Sequence, residues 1–530
     1  MSEPARYLKQ NVAVEPLCNQ WYAWAFLLPP VTASLMTANL HVKILQSFVA
    51  NPAIHAAALK NPALRGAPYV GYEVDQAGEV AALLARTLEE AAPSLQLAQA
   101  LADLHKLLAA SAGDSLEELY KHMPDILRGY VELTYDLNNR ASPRFLEALL
   151  YRSRYYREAA QSIAFRVLES DDRPLALSTP RLASATGVHA RVPFRDPVLD
   201  TLFAMRTTPG PVEPLREALG IRAEDAGQFS ALFTAEGPPP SARYDGPGVR
   251  VRYFGHACVL VESRRVSVLT DPCLGYQVTH GPARYTEADL PPHIDYVVLT
   301  HAHFDHLMLE PLLALRGRIG TIVVPASNGG RLADPSVKLM LRAIGFRHVV
   351  ELEDLESIEV PGGALTGLPF FGEHGDLDIR GKLTHLIRLE GQSLLMAADS
   401  NTIEPRVYDH IRDVVGTIDV LFVGMESEGA PVSWVYGPLL PAPLSRKFDQ
   451  ARRLNASNCA RAVELIARIA PKHVYVYAIA REPWLGHFLS MGYTESSPQI
   501  VEARKLLAYC RERGITADMP YCQAEMVFSG

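Results

Sequence analysis

Cysteine is scarce in this chain: six in 530 residues, at Cys18, Cys258, Cys273, Cys459, Cys510 and Cys522, with no C-x-x-C pair among them. So few and so scattered, they do not make a disulfide framework and read as reduced, mostly buried thiols. Long apolar runs are missing as well. The most apolar stretch, WYAWAFLLPPVTASLM, is broken by Pro29–Pro30, and the opening MSEPARYLKQ has neither the basic start nor the apolar run of a signal peptide. No membrane partner is expected, and the reading places the protein in the cytoplasm. Dense Lys/Arg runs are absent too. With 51 basic against 59 acidic residues the formal net charge is -8, so nucleic acid is not an expected partner. No internal repeat is found.

What is present is globular composition, with 48% hydrophobic and 21% charged residues. A single core stops growing near ~250–300 residues, so two domains are expected. From about residue 30 to 170 Leu and Ala recur at three- and four-residue spacing, as in EVAALLARTLEEAAPSLQLAQALADLHKLLAASAG, which predicts helices. Prolines then accumulate at 209, 211, 214, 238–240 and 247, and GPPPSARYDGPG has linker composition. The boundary falls near residue 245, giving a helix-rich domain over 1–245 and a second domain over 246–530. The second is a series of β-branched or aromatic runs separated by turns, among them VRVRYFG, CVLVE, YVVLTH, GTIVVPA, SLLMAAD, VLFVGM and HVYVYAIA. With amphipathic stretches such as VKLMLRAIG and CARAVELIARIA between them, this α/β pattern suggests two sheets face to face with helices outside, an αββα sandwich.

The run YVVLTHAHFDHLM carries the strongest chemistry. Val297 to Thr300 read as a buried strand, and His301, His303, Asp305 and His306 fill the loop that follows, where a rigid scaffold can present ligands to a crevice. His301 and His303 can address one metal, and Asp305 and His306 are placed to reach a second. Three imidazoles and a carboxylate suit Zn, Fe or Mn rather than Mg or Ca.

These four positions match the H-x-H-x-D-H signature, and the chain here resembles the metallo-β-lactamase superfamily. GHACVLVE (255–262) and VLTDP (268–272) look like that superfamily's opening hairpin and Asp-bearing strand end. The resemblance implies a bridging carboxylate downstream, which falls at Asp399 after the apolar Leu394–Ala398; a shared carboxylate lets two cations sit ~3.5–4 Å apart. It also implies that Asp271, with His256, supports the ligands rather than binding metal.

Two departures point away from the superfamily's zinc hydrolases. In GLPFFGEHGDLD, Glu373 and His374 stand side by side where those enzymes place one histidine, and either could ligate; a glutamate would favour a harder metal and point toward iron. PKHVYVYA has Ala478 where the last histidine would stand, leaving His487 in REPWLGHF either to reach back as that ligand or to pack as an ordinary loop histidine. The Glu373 pattern behind a long helical domain resembles the diiron β-hydroxylase of chloramphenicol biosynthesis. That resemblance implies two Fe ions, with Glu373 and Asp399 central to the chemistry and O2 as co-substrate. It further implies an amino acid, aromatic by analogy, tethered as a thioester to a peptide-synthetase carrier domain, an external electron donor, and a homodimer formed through the N-terminal domain. The alternative expectation is a dizinc hydrolase of the same fold. Trp21, Tyr22 and Trp24 in NQWYAWAF are read as core or subunit-contact material, and Glu426 and Glu428 as pocket-lining residues or turn caps.

Overall fold

The computed structural model describes residues 5–529, apart from 62, 63, 65, 112 and 184–186. From Val249 onward the β-rich runs form two seven-stranded sheets. The first has the order Val349–Leu352, Ile319–Pro325, Ile294–Val298, Ser267–Thr270, Cys258–Glu262, Val249–Gly255 and Ala524–Phe528. The second runs Ser357–Val360, Gly363–Pro369, Leu383–Leu389, Gln392–Met396, Val420–Gly424, His473–Tyr477 and Thr516–Asp518. Each mixes parallel and antiparallel neighbours: Ile294–Val298 lies parallel to both strands beside it, while Gln392–Met396 is parallel to Val420–Gly424 and antiparallel to Leu383–Leu389.

The alternation of side chains along each strand divides the core. Val259, Val298, Val323, Ile387, Met396 and Phe422 meet between the sheets. Their neighbours in sequence, such as Leu395, Leu421 and Val476, face outward onto Arg406–Val415, Cys459–Ile469 and Pro498–Glu512, the helices that cover the second sheet. This is the αββα sandwich that the strand pattern suggested.

The outer face of the first sheet is covered differently. Leu260, Leu269, Val297 and Ile322 join the helices Leu309–Leu315 and Val337–Ala343 and then continue, in one apolar cluster, into Leu8, Trp24, Phe48, Leu101 and Phe165 of the N-terminal half. Residues 235–248, the Pro-rich stretch, carry no regular element, yet the cores on its two sides are joined.

In the N-terminal half the expected helices are found at Pro30–Met36, Val42–Ala50, Pro52–Leu59, Ala77–Glu90 and Ala92–Ala109. Helical texture does not reach residue 170, however. Val131–Tyr135 and Ala141–Phe145 form a hairpin, and Gln161–Val167 pairs antiparallel with Val12–Cys18 in a four-stranded sheet. The physical reason is local: VELTY alternates in burial with a period of two, and Asp136 caps the turn by accepting from the amides of Asn138 and Arg140. Among the described residues no helix is long and apolar enough to cross a membrane.

Candidate metal centre

The candidate residues lie at strand ends on the same edge of both sheets. Ile294–Val298 leads through Leu299 and Thr300 to His301, and the loop holding His303, Asp305 and His306 closes when Leu309–Leu315 begins. Gln392–Met396 leads to Asp399 from the facing sheet, and Glu373 and His374 come from the loop after Gly363–Pro369. The two edges are joined here, since the Leu383 amide donates to the Thr300 carbonyl at 2.8 Å. The backbone at these ends is unusual. Asp271, Glu373, Ala398 and Ala478 all have positive φ, between 31° and 67°, a conformation that costs energy outside glycine and clusters at functional sites.

Six of the seven sequence-predicted ligands converge. His301, His303, Glu373 and His374 offer donor atoms that lie within 4.8 Å of one another, and so do His301, His306 and Asp399. The His303 Nδ1 touches Glu373 Oε1, His301 Nε2 is 3.8 Å from Glu373 Oε2, and His306 Nε2 is 3.0 Å from Asp399 Oδ2. Asp305 Oδ2 lies 3.9 Å from His306 Nε2.

His487 is the exception and corrects the expectation that it reaches back to the cluster. It belongs to none of the ligand groups, and its ring packs on Phe488 (centroids 3.9 Å apart) and on the edge of Tyr22 (5.9 Å). The short helix Gly486–Leu489 turns it toward the N-terminal half, where burial and then Arg173 and Arg181 keep it neutral. At the strand end where hydrolases carry a histidine, Ala478 and Ala480 instead donate their amides to the carbonyl and Nδ1 of His256 (both 3.2 Å). That contact fixes the tautomer of His256: with Nδ1 accepting, its proton sits on Nε2, 3.3 Å from Asp305 Oδ2. His256 Nε2 thus meets Asp305 and also lies 3.3 Å from His306 Nε2, so that these three side chains form a third group of donor atoms within 4.8 Å; the GHACVLVE context gave no sign of which residues it would meet.

The other supports follow the same logic. Asp271 accepts from the Thr300 amide and hydroxyl (2.8 and 2.6 Å) and from His306 Nδ1 at 2.8 Å, leaving His306 Nε2 facing Asp399. The Tyr436 hydroxyl meets His303 Nε2 at 2.9 Å, so that His303 presents Nδ1 to the cluster. Tyr436 went unnoticed in the sequence because nothing near VSWVYG marks it; only tertiary folding carries it to His303. His374 stacks on His303 (centroids 4.6 Å apart) with its Nδ1 2.8 Å from Glu373 Oε2.

Electrostatics test whether cations fit. Burial, then His306, holds His301 well below the usual imidazole value. Burial opposes charge on His303 and His306 too, but Glu373 prevails at His303, and Asp399 with Asp305 at His306, raising both. Against burial, the imidazoles hold Glu373 well below its ordinary value, and His306 and His256 hold Asp305 at about 2. Three carboxylates thus share a buried site in which protons on histidine are the available counter-charge. His301 Nε2 and Asp399 Oδ1 are buried with no hydrogen-bond partner at all. Orphaned donors among compensating charges are what two cations would satisfy, and the mixed imidazole and carboxylate set suits iron.

Residues 7–238 match the family described as the diiron non-heme beta-hydroxylase N-terminal domain, and residues 266–477 match the beta-lactamase superfamily domain. The chain is 38% identical, over 96% of its length and 97% of the relative's, to the 4-amino-L-phenylalanyl-[CmlP-peptidyl-carrier-protein] 3-hydroxylase of Streptomyces venezuelae. It belongs to the diiron non-heme β-hydroxylase family. The fold of this β-hydroxylase superposes on the crystal structure of CmlA, a diiron beta-hydroxylase from Streptomyces venezuelae, with a TM-score of 0.93, 37% identity, and coverage of 99% of this chain and 100% of that one. Likeness to a metal-dependent hydrolase of Exiguobacterium sp. is 44% identical but spans 69 residues, 12% of this chain and 27% of that one. That likeness is confined to a 69-residue segment, while the β-hydroxylase likeness runs end to end.

Proposed function

We propose that this β-hydroxylase uses O2 and externally supplied electrons to hydroxylate the β-carbon of an amino acid, aromatic in its side chain, held as a thioester on a peptide-synthetase carrier domain. The observation that carries the reading is the end-to-end relationship to a hydroxylase named for an aminoacyl carrier-protein substrate.

In this reading His301, His303 and Glu373 would hold one iron, Asp305 and His306 would hold the other, and Asp399 would be available to both. When bound, the two irons supply the one-electron couples by which O2 is reduced. The chain's own residues do the rest. Tyr436 and Asp271 hold the distal protons of His303 and His306 and so fix which nitrogen each ring presents. His374 braces Glu373. The burial of His301, His303, Asp305, His306, Glu373 and Asp399 keeps bulk water from the centre. Converting a C–H bond and O2 to C–OH and water consumes two electrons and two protons, which is why an external donor belongs to the reading. A homodimer through the N-terminal half completes it, checked by sedimentation of the purified chain.

The test is metal analysis with an optical spectrum of protein made in iron-sufficient medium, followed by mass measurement of an aminoacyl carrier domain after incubation with reductant and O2. Two irons per chain, near-ultraviolet oxo-iron absorption and gain of one oxygen on the acyl group are expected. Two zincs without that absorption would sink the oxygenase reading in favour of hydrolysis. Glu373→Ala should lose metal while His374→Ala retains it; the opposite result would reassign the ligand.

A further inference from the structure

The aromatic run near the N-terminus, Tyr22, Trp24 and Phe26, makes three successive contacts with the metal-bearing loop and with the residues that hold it. The Tyr22 hydroxyl donates to Glu310 Oε2 at 2.6 Å, in the first turn of the helix that follows His306. Trp24 stands edge-on to Phe304 with centroids 5.7 Å apart, and Phe304 is the residue between His303 and Asp305. Phe26 meets Tyr436 at 90° and 5.8 Å, and Tyr436 is the partner of His303 Nε2.

The run is itself rigidly held. Trp21–Tyr22 pairs with Leu17–Cys18, the Ala23 amide donates to the Pro16 carbonyl at 2.8 Å, and Trp24 is extended before the single turn Ala25–Leu27. All three side chains are buried. Glu310 is fixed from two further sides, by Arg173 (3.0 Å) and by the Tyr276 hydroxyl (2.5 Å), and Arg173 also pairs with Glu15 in the strand before the run.

We infer that Tyr22, Trp24 and Phe26 are positioning residues of the metal centre: the N-terminal half sets the loop His301–His306 in its ligating conformation through Glu310, Phe304 and Tyr436. The inference rests on the proposed ligand set. A loop bearing four ligands binds metal well only if its ordering is met in advance, and here that ordering comes from outside the sandwich.

The experiment titrates metal-free full-length protein with ferrous ion under anaerobic conditions and follows each variant's thermal midpoint. Tyr22→Phe removes one hydroxyl and Trp24→Leu one ring edge. Phe165→Leu, which disturbs an N-terminal core contact with Phe229 remote from the loop, serves as control. Removing a partner that orients a ligand weakens metal affinity ~10–100-fold. Acting one residue further out, Tyr22→Phe and Trp24→Leu should weaken ferrous affinity by about tenfold, while Phe165→Leu lowers the midpoint and leaves affinity unchanged. Should Trp24→Leu fail to fold, Tyr22→Phe alone decides. Variants that bind iron like the parent would overturn the inference and leave the ligand reading intact. A parent that binds fewer than two ions would overturn the ligand reading itself.

Discussion

Tyr436 shows how much of this site depends on single hydrogen bonds outside the ligand set. An imidazole has two nitrogens, and a hydroxyl 2.9 Å from Nε2 commits His303 to offering Nδ1. Tyr436→Phe should leave the fold in place and weaken metal binding by ~10–100-fold, as measured by ferrous titration of the metal-free protein; unchanged affinity would show that the packing of the ring suffices. At this scale the sequence was informative where ligands bunch. His301, His303, Asp305 and His306 lie within six positions after one strand, and Asp399 follows an unmistakable apolar run. Legibility failed where one residue depended on distant packing. His487 stands just beyond the right strand, yet one turn of helix points it at Tyr22. Glu373 and His374 could not be separated by spacing because both are buried at the same place, one against the other.

Among the elements, the strands read well because short β-branched or aromatic runs bounded by turns are a strong local signal, and several prove buried along their whole length. The hairpin Val131–Phe145 was lost in helical texture because its strands are short and half exposed. Just beyond it, the short helix Glu147–Leu150 offers a test by pH. Glu147 Oε2 accepts from the Ser336 amide at 2.9 Å, and Ser336 in turn caps Val337–Ala343 against the first sheet. Burial outweighs that hydrogen bond and, with Asp334 and Glu351 nearby, raises the Glu147 carboxyl from 4.5 to about 7. A carboxyl raised on folding binds its proton more tightly in the native state. Its contribution is therefore fully favourable below 4.5 and is lost as pH rises toward about 7. Glu147→Gln keeps the group neutral throughout, so the variant should gain stability relative to the parent between pH 5 and 8. Denaturant midpoints at four pH values would measure this, and parallel profiles for the two proteins would refute it.

In the whole molecule, the two-domain reading rests on the change of texture near residue 245 and is silent on the apolar cluster that runs across it. Chain length and a Pro-rich linker indicate two units; only the structure shows Leu309–Leu315, which lies on the first sheet, packed against Val12–Cys18 and Pro197–Ala204 of the N-terminal half. The sandwich alone would therefore expose the apolar side of Leu309–Leu315 that the N-terminal half covers. A chain of residues 246–530 is expected to aggregate or to bind hydrophobic dye strongly in gel filtration and fluorescence assays, unlike the free-standing sandwich that the Pro-rich boundary suggests. A monodisperse fragment with native-like midpoint would contradict this.

The same shared core has a consequence during synthesis. The N-terminal half is complete once residue 245 has emerged, but the helix that packs on its open face, Leu309–Leu315 against Val12–Cys18 and Pro197–Ala204, arrives about 70 residues later. At elongation rates of ~5–20 residues per second, that half waits on the order of 4–14 s with its apolar face uncovered. For that interval the nascent chain is a natural client for chaperones at the ribosome exit.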